Sequence, residues 1–98
     1  MKRKQPAIFA ILLCSLFFAS LFAQQWKLVG RIVSDVSKGE TAIVFQSEAP
    51  VVAGKAILIE SRDGTLRVTY QVRHVYDDTI LLEEPLKEAF TAGSRLYQ

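Results

Sequence analysis

The chain has 98 residues, half of them hydrophobic, with 12 Lys and Arg against 10 Asp and Glu and a net charge of +2. Three of the basic residues, Lys2, Arg3 and Lys4, stand together at the start, so the remainder is close to neutral and lacks the concentrated basic footprint that nucleic acid binding requires. The only cysteine, Cys14, excludes an intrachain disulfide and a zinc site built from thiolates.

Residues 1–23 read as a signal peptide. A basic head precedes an apolar run from Ala7 to Ala23, and a small residue, Ala23, stands before the expected mature start at Gln24. Leu21 is larger than the residue usually found at the third position before a cut. Two alternatives stay open. Cys14 could carry a lipid, although Leu13 stands where a small residue is usual. The run over residues 7–23 could also remain uncleaved as an anchor, because its length is at the lower limit for spanning a bilayer core. Each reading sends residues 24–98 out of the cytoplasm, to the periplasm or the outside, with membrane contact only through residues 7–23 if these are retained. Those residues form one domain of about 75 residues, small enough to depend on a well-filled core, a partner or oligomerisation.

Strand signals dominate that domain. Trp26 to Val36 is rich in β-branched residues, and Ser37 to Glu40 is a polar turn with Gly39. Thr41 to Gln46 is a second strand, apolar on both faces and therefore expected to be covered on both. A loop with Pro50 and Gly54 leads to a third strand, Lys55 to Glu60. Asp63-Gly64 is a hairpin signal of the type I′ kind. Beyond it Leu66, Val68, Tyr70 and Val72 alternate with polar residues, as in a strand with one wet face. The parity slips at Arg73-His74, which predicts a β-bulge. A turn at Tyr76 to Asp78 leads to a fifth strand, Thr79 to Glu83. One helical turn is expected near Leu86 to Phe90, and Ser94 to Gln98 closes the chain as a sixth strand.

Residues 29–59 and 69–98 repeat one order of elements. Each has a strand, a polar turn, a threonine-led apolar strand, a proline-marked loop, an Ala-Gly pair and a closing strand. In this alignment Thr41 corresponds to Thr79, and Ala53-Gly54 to Ala92-Gly93. The echo is read as an internal duplication. Two such units can close on each other as a six-stranded barrel, which removes exposed sheet edges. The expected fold class is all-β, a small closed or partly open six-stranded barrel after an N-terminal signal helix.

The phrases Gly30-Arg31-Ile32-Val33 with Val36, and Ala53-Gly54 before Ile57, resemble the six-stranded barrels typified by translation-factor domain 2 and the C-terminal domain of an exported flagellar assembly protein. Lys55 and Ser94 stand where such barrels usually carry an acidic residue after the glycine. The resemblance implies a binding or assembly module and carries over no catalytic residue.

Candidate chemistry is sparse. His74 is the only histidine, and Asp77 and Asp78 beside it have the simpler role of turn residues. Ser34, Asp35 and His74 formally supply a hydrolytic set, without a glycine-flanked nucleophile elbow. Glu83 and Glu84 are adjacent and would point to opposite faces of a strand, and with Glu88 they read as a solvated edge. No enzyme activity, metal or cofactor is expected. Trp26, Tyr76 and Tyr97 are the candidate partner surface, with Trp26 also able to plug the barrel end. The expected function is a non-enzymatic module for binding or assembly in an envelope-associated complex, with another envelope protein as partner and a homo-oligomer compatible with it. The alternatives are a barrel that binds a small ligand or carbohydrate at its mouth and, further off, a small hydrolase.

Overall fold

The computed structural model describes residues 25–98. The signal segment, its cleavage position and Cys14 lie outside those residues. Six strands form: β1 (Leu28–Ile32), β2 (Ala42–Ser47), β3 (Ala56–Glu60), β4 (Arg67–Tyr76), β5 (Thr79–Leu82) and β6 (Arg95–Tyr97). They close into an antiparallel barrel in the order β1-β2-β5-β4-β3-β6. Among the described residues no helix is long and apolar enough to cross a membrane.

The interior is filled by side chains. Ile43, Ile57, Ile59, Ile80 and Leu96 are completely buried, with Val29, Ile32, Phe45, Tyr70, Val72 and Leu82 around them. β2, β3 and β5 contribute alternate residues, as the pleat requires, and register shifts in β1 and β4 break the alternation between Val29 and Ile32 and between Val72 and Val75. Fully burying a side chain of this size stabilises by about 1.5–3 kcal/mol, so this interior offsets the absence of any cross-link in the domain.

The two halves of the barrel are related by a pseudo-two-fold axis. Exchanging β1 with β4, β2 with β5 and β3 with β6 leaves the cyclic order of pairings unchanged. Hydrogen bonds repeat as well. Gly54 N–H donates to the Val72 carbonyl at 2.7 Å, and Gly93 N–H donates to the Ile32 carbonyl at 2.8 Å. Both glycines have left-handed backbone, φ +85° and +91°, at the corner where the chain re-enters the sheet. Phe45 N–H to the Asp78 carbonyl and Leu82 N–H to the Thr41 carbonyl form another such pair, both 2.8 Å. The axis passes through the Ile43–Ile80 pair. Thr79 therefore matches Ala42 and not Thr41, one residue away from the alignment by threonines, while Gly54 and Gly93 do correspond.

Several local expectations change. β1 ends at Ile32, and Val36 rejoins the barrel only as an isolated bridge to Phe90. Residues 86–90 make no helical turn. Leu86 and Phe90 instead turn inward and close one end of the barrel. Asp63 keeps negative φ, so the hairpin is not type I′. A turn with Gly64 N–H donating to the Ser61 carbonyl at 2.8 Å makes it, and Gly64 alone is left-handed. β2 is covered on one face only, since Ala42 and Val44 are exposed. The bulge in β4 is present, with the register shifting between Val72 and His74.

Candidate functional site

The bulge decides what the outer surface carries. Val72 points inward. After the shift His74 pairs with Leu81 and Tyr76 with Thr79, so both aromatic rings face outward while Val75 turns back to the core. The His74 and Tyr76 rings meet edge to face with centroids 4.5 Å apart. Across β5 and β2 the same outer row continues through the pairs Leu81–Ala42 and Thr79–Val44. Val33, 49% exposed, hydrogen-bonds the Val44 carbonyl and extends the row beyond β1. Val33, Val44, Leu81, His74 and Tyr76 thus share one apolar and aromatic outer strip over three strands, with Ala42 and Thr79 between them and Tyr76 55% exposed at its end. The sequence signal for the strip was the apolar residue at both parities of β2, which instead reads as a strand covered on both faces.

The other side of the barrel is charged. Arg31 pairs in register with Arg95, Arg95 with Glu60, and Glu60 with Arg67. Glu60 is the hub. Its Oε1 accepts from Arg95 Nε at 2.8 Å and from Tyr97 Oη at 3.2 Å, and its Oε2 meets Arg67 Nε at 3.3 Å. Arg95 above all, with Tyr97 and Arg67, holds the Glu60 carboxyl below the ordinary glutamate range, against a smaller opposing effect of desolvation. Arg95 also reaches the Ser61 carbonyl at 3.4 Å, so the network ties β4, β3 and β6 to the hairpin. Its chemistry is structural.

The three aromatic candidates are spread around the barrel. Tyr76 belongs to the apolar strip, and Tyr97 donates into the Glu60 hub. Trp26 is half-buried outside the core and does not plug the barrel; it borders two depressions beside β3 and β4. The hydrolytic candidates are not brought together either. Asp35 accepts a hydrogen bond from Ala92 N–H at 2.8 Å at one end of the barrel, whereas His74 lies on the outer strip. Among the described residues no group of three His, Cys, Asp or Glu side chains converges as a metal site.

No family model matches the chain, and no curated protein matches it. Among solved structures, the crystal structure of the tailspike protein gp49 from Pseudomonas phage LKA1 is similar, with a TM-score of 0.55 and 25% identity over 74% of this chain. The chain matches only 14% of that protein's length.

Proposed function

We propose that this protein is a non-enzymatic module for binding or assembly, exported by the signal in residues 1–23 and working in an envelope-associated complex. The observation that carries this reading is the apolar strip Val33–Val44–Leu81–His74–Tyr76 on the outside of a barrel whose interior is already filled. Exposed apolar and aromatic side chains gathered on one face of a small domain are characteristic of protein contacts. The partner is another folded protein of the envelope. The likeness to part of a tailspike supports a modular role, because the matched part is 14% of that protein's length. The resemblance to translation-factor domain 2 and to an exported flagellar assembly protein supports the same reading at the level of architecture.

A photo-crosslinking residue placed at Val44 in the producing cell tests it. The expected result is one discrete adduct that disappears when Tyr76 is changed to Ala or Leu81 to Glu. A protein that yields no adduct from Val44 or from Leu81, and that remains monomeric, has no partner on this strip, and the reading falls.

A further inference from the structure

Trp26 is the only tryptophan of the chain, and it is neither in the core nor free in solvent. It stands between two depressions on the outer side of β3 and β4. One, of about 370 Å³, is bordered by Trp26, Gly54, Lys55, Ala56 and Gln71. The other, of about 300 Å³, is bordered by Trp26, Ala56, Thr69, Gln71 and Glu84. They share Trp26, Ala56 and Gln71 and so form one groove with the tryptophan at its middle.

The walls follow from the strand pleat. Ile57, Tyr70 and Val72 point into the barrel, so Ala56, Thr69 and Gln71 point out, and register places Ala56 directly opposite Gln71. Ala56 keeps the floor low beside the indole. Gly54, in its left-handed corner, has open space where a side chain would stand. Among the described residues, the side chains of Lys55, Thr69, Gln71 and Glu84 make no hydrogen bond or ion pair. Gln98, at the margin of the first depression, is different. Its amide is used at both atoms, accepting from Val52 N–H at 2.7 Å and donating to the Val52 carbonyl at 2.8 Å. It fixes the groove's edge.

We propose that this groove binds a neutral oligosaccharide. The chemistry of the groove matches that class. An aromatic face offers a platform for the C–H face of a sugar ring. An amide and a hydroxyl, Gln71 and Thr69, offer donors and acceptors to its hydroxyls. Lys55 at one end and Glu84 at the other cancel in charge, so the groove favours neither an anion nor a cation. Each depression lies at the lower limit of the size of small-ligand sites. Both are shallow, so the ligand runs past the tryptophan on either side as consecutive sugar units. The groove shares no residue with the apolar strip, and it stands or falls independently of that surface.

The single tryptophan makes the test direct. The full chain, purified as the cell processes it, is titrated with maltohexaose, cellohexaose and chitohexaose while Trp26 emission is followed. The expected result is a saturable change with at least one of the three. Gln71→Ala, at an exposed outer position, should weaken that binding about tenfold, the effect of losing roughly 1.4 kcal/mol of hydrogen bonding. Trp26→Ala, followed by calorimetry, should abolish it. A thermal melt of each variant checks that the barrel persists. Emission that stays unchanged to 10-mM-scale sugar (on the order of the weakest affinities worth measuring) overturns the proposal. So does sugar binding that survives both variants, because the site then lies elsewhere. Emission that responds to a protein partner and to none of the sugars assigns the groove to protein contact and overturns it equally.

Discussion

At one end of the barrel the loop between β5 and β6 folds Leu86 and Phe90 into the interior, each 2% exposed, and Val36 bridges to Phe90 from the opposite side. At the other end the equivalent loop between β2 and β3 offers only Ala49 and Val51, both partly buried, and is held from outside by the Gln98 amide on Val52. The hairpin 61–66 joins β3 to β4 at the first end. The equivalent pair at the second end, β6 and β1, has no such connection, and Gln98 and Trp26 lie there instead. The same scaffold has therefore been closed twice in different ways. One closure is apolar and deep. The other is polar and shallow, and it leaves the surface depressions around Trp26. Pseudo-symmetry of the backbone does not impose symmetry of stability.

The largest test of this contrast is a pair of truncations. Phe90→Ala should cost about 3–5 kcal/mol, because it removes a large side chain and leaves a cavity lined by a rigid barrel. Val51→Ala at the equivalent place should cost only about 1 kcal/mol, since the site is partly wet and less apolar surface is lost. Urea unfolding of the two variants reads both values. Equal costs would mean that the two ends are energetically alike despite their different burial.

Next in size is a contrast within the wall. Gly30 and Tyr70 are equivalent positions, facing Leu96 and Ile57 respectively. The halves balance their volume by exchange: Gly30 sits beside Phe45, and Tyr70 belongs to the half in which Phe45's counterpart is Leu82. A methyl at Gly30 would fall against the Gln46 carbonyl oxygen and 2.9 Å from the Phe45 ring. Gly30→Ala should therefore destabilise by about 1–3 kcal/mol, in the range for overpacking. Adding Phe45→Leu should recover only part of the loss, because the carbonyl remains in the way. Full recovery would show that the ring alone sets the requirement for glycine.

Much of the barrel was legible in the sequence, and the part that was not has physical reasons. Strand positions, the two Ala-Gly corners and the bulge after Val72 all left period-two or glycine signatures, which are local. Phe90 and Leu86 misled. Their spacing fits one helical turn, yet the loop is closed by tertiary burial, and local spacing carries no information about that. The threonine alignment failed by one residue because Thr41 and Thr79 are similar in type but sit at different registers about the Ile43–Ile80 axis. The outer surface was least legible. Tyr76, Trp26 and Tyr97 were recognisable as large side chains, but only the folded barrel places Tyr76 with His74, Tyr97 on Glu60 and Trp26 beside Gln71.

A smaller effect is expected where Tyr70 supports the plugging loop. Lys87 N–H donates to Tyr70 Oη at 2.9 Å. Tyr70→Phe should cost about 0.5–1.5 kcal/mol, the usual net value of one hydrogen bond, and should speed amide exchange at Lys87. Exchange at Val52, at the other end, should stay the same. A change at Val52 would mean that the two closures open together.

The smallest perturbation is acid, and it separates the ends by chemistry. The hairpin at the plugged end is organised by Asp63, whose Oδ1 accepts from Thr65 N–H at 3.1 Å and from the Ser61 and Thr65 hydroxyls at 2.8 Å each. The Thr65 amide first, then the two hydroxyls, lower the carboxyl from 3.8 to about 2. A carboxyl depressed in the folded state contributes stability that is complete above its ordinary value and disappears as pH falls through the folded one. For Asp63 that window runs from about 4 down to about 2. Glu60, lowered by Arg95 in the same region, adds a loss of the same sign below its ordinary 4.5. The clamp at the other end uses the Gln98 amide and has no proton to gain. The protection of the Thr65 and Leu66 amides, taken as exchange relative to the intrinsic rate at each pH, should therefore fall across this window while that of Val52 holds steady, and Asp63→Asn should remove most of the pH dependence of Thr65 protection. If Val52 opens in step with Thr65 in the native protein, acid acts on the barrel as a whole, and the independence of its two closures is lost.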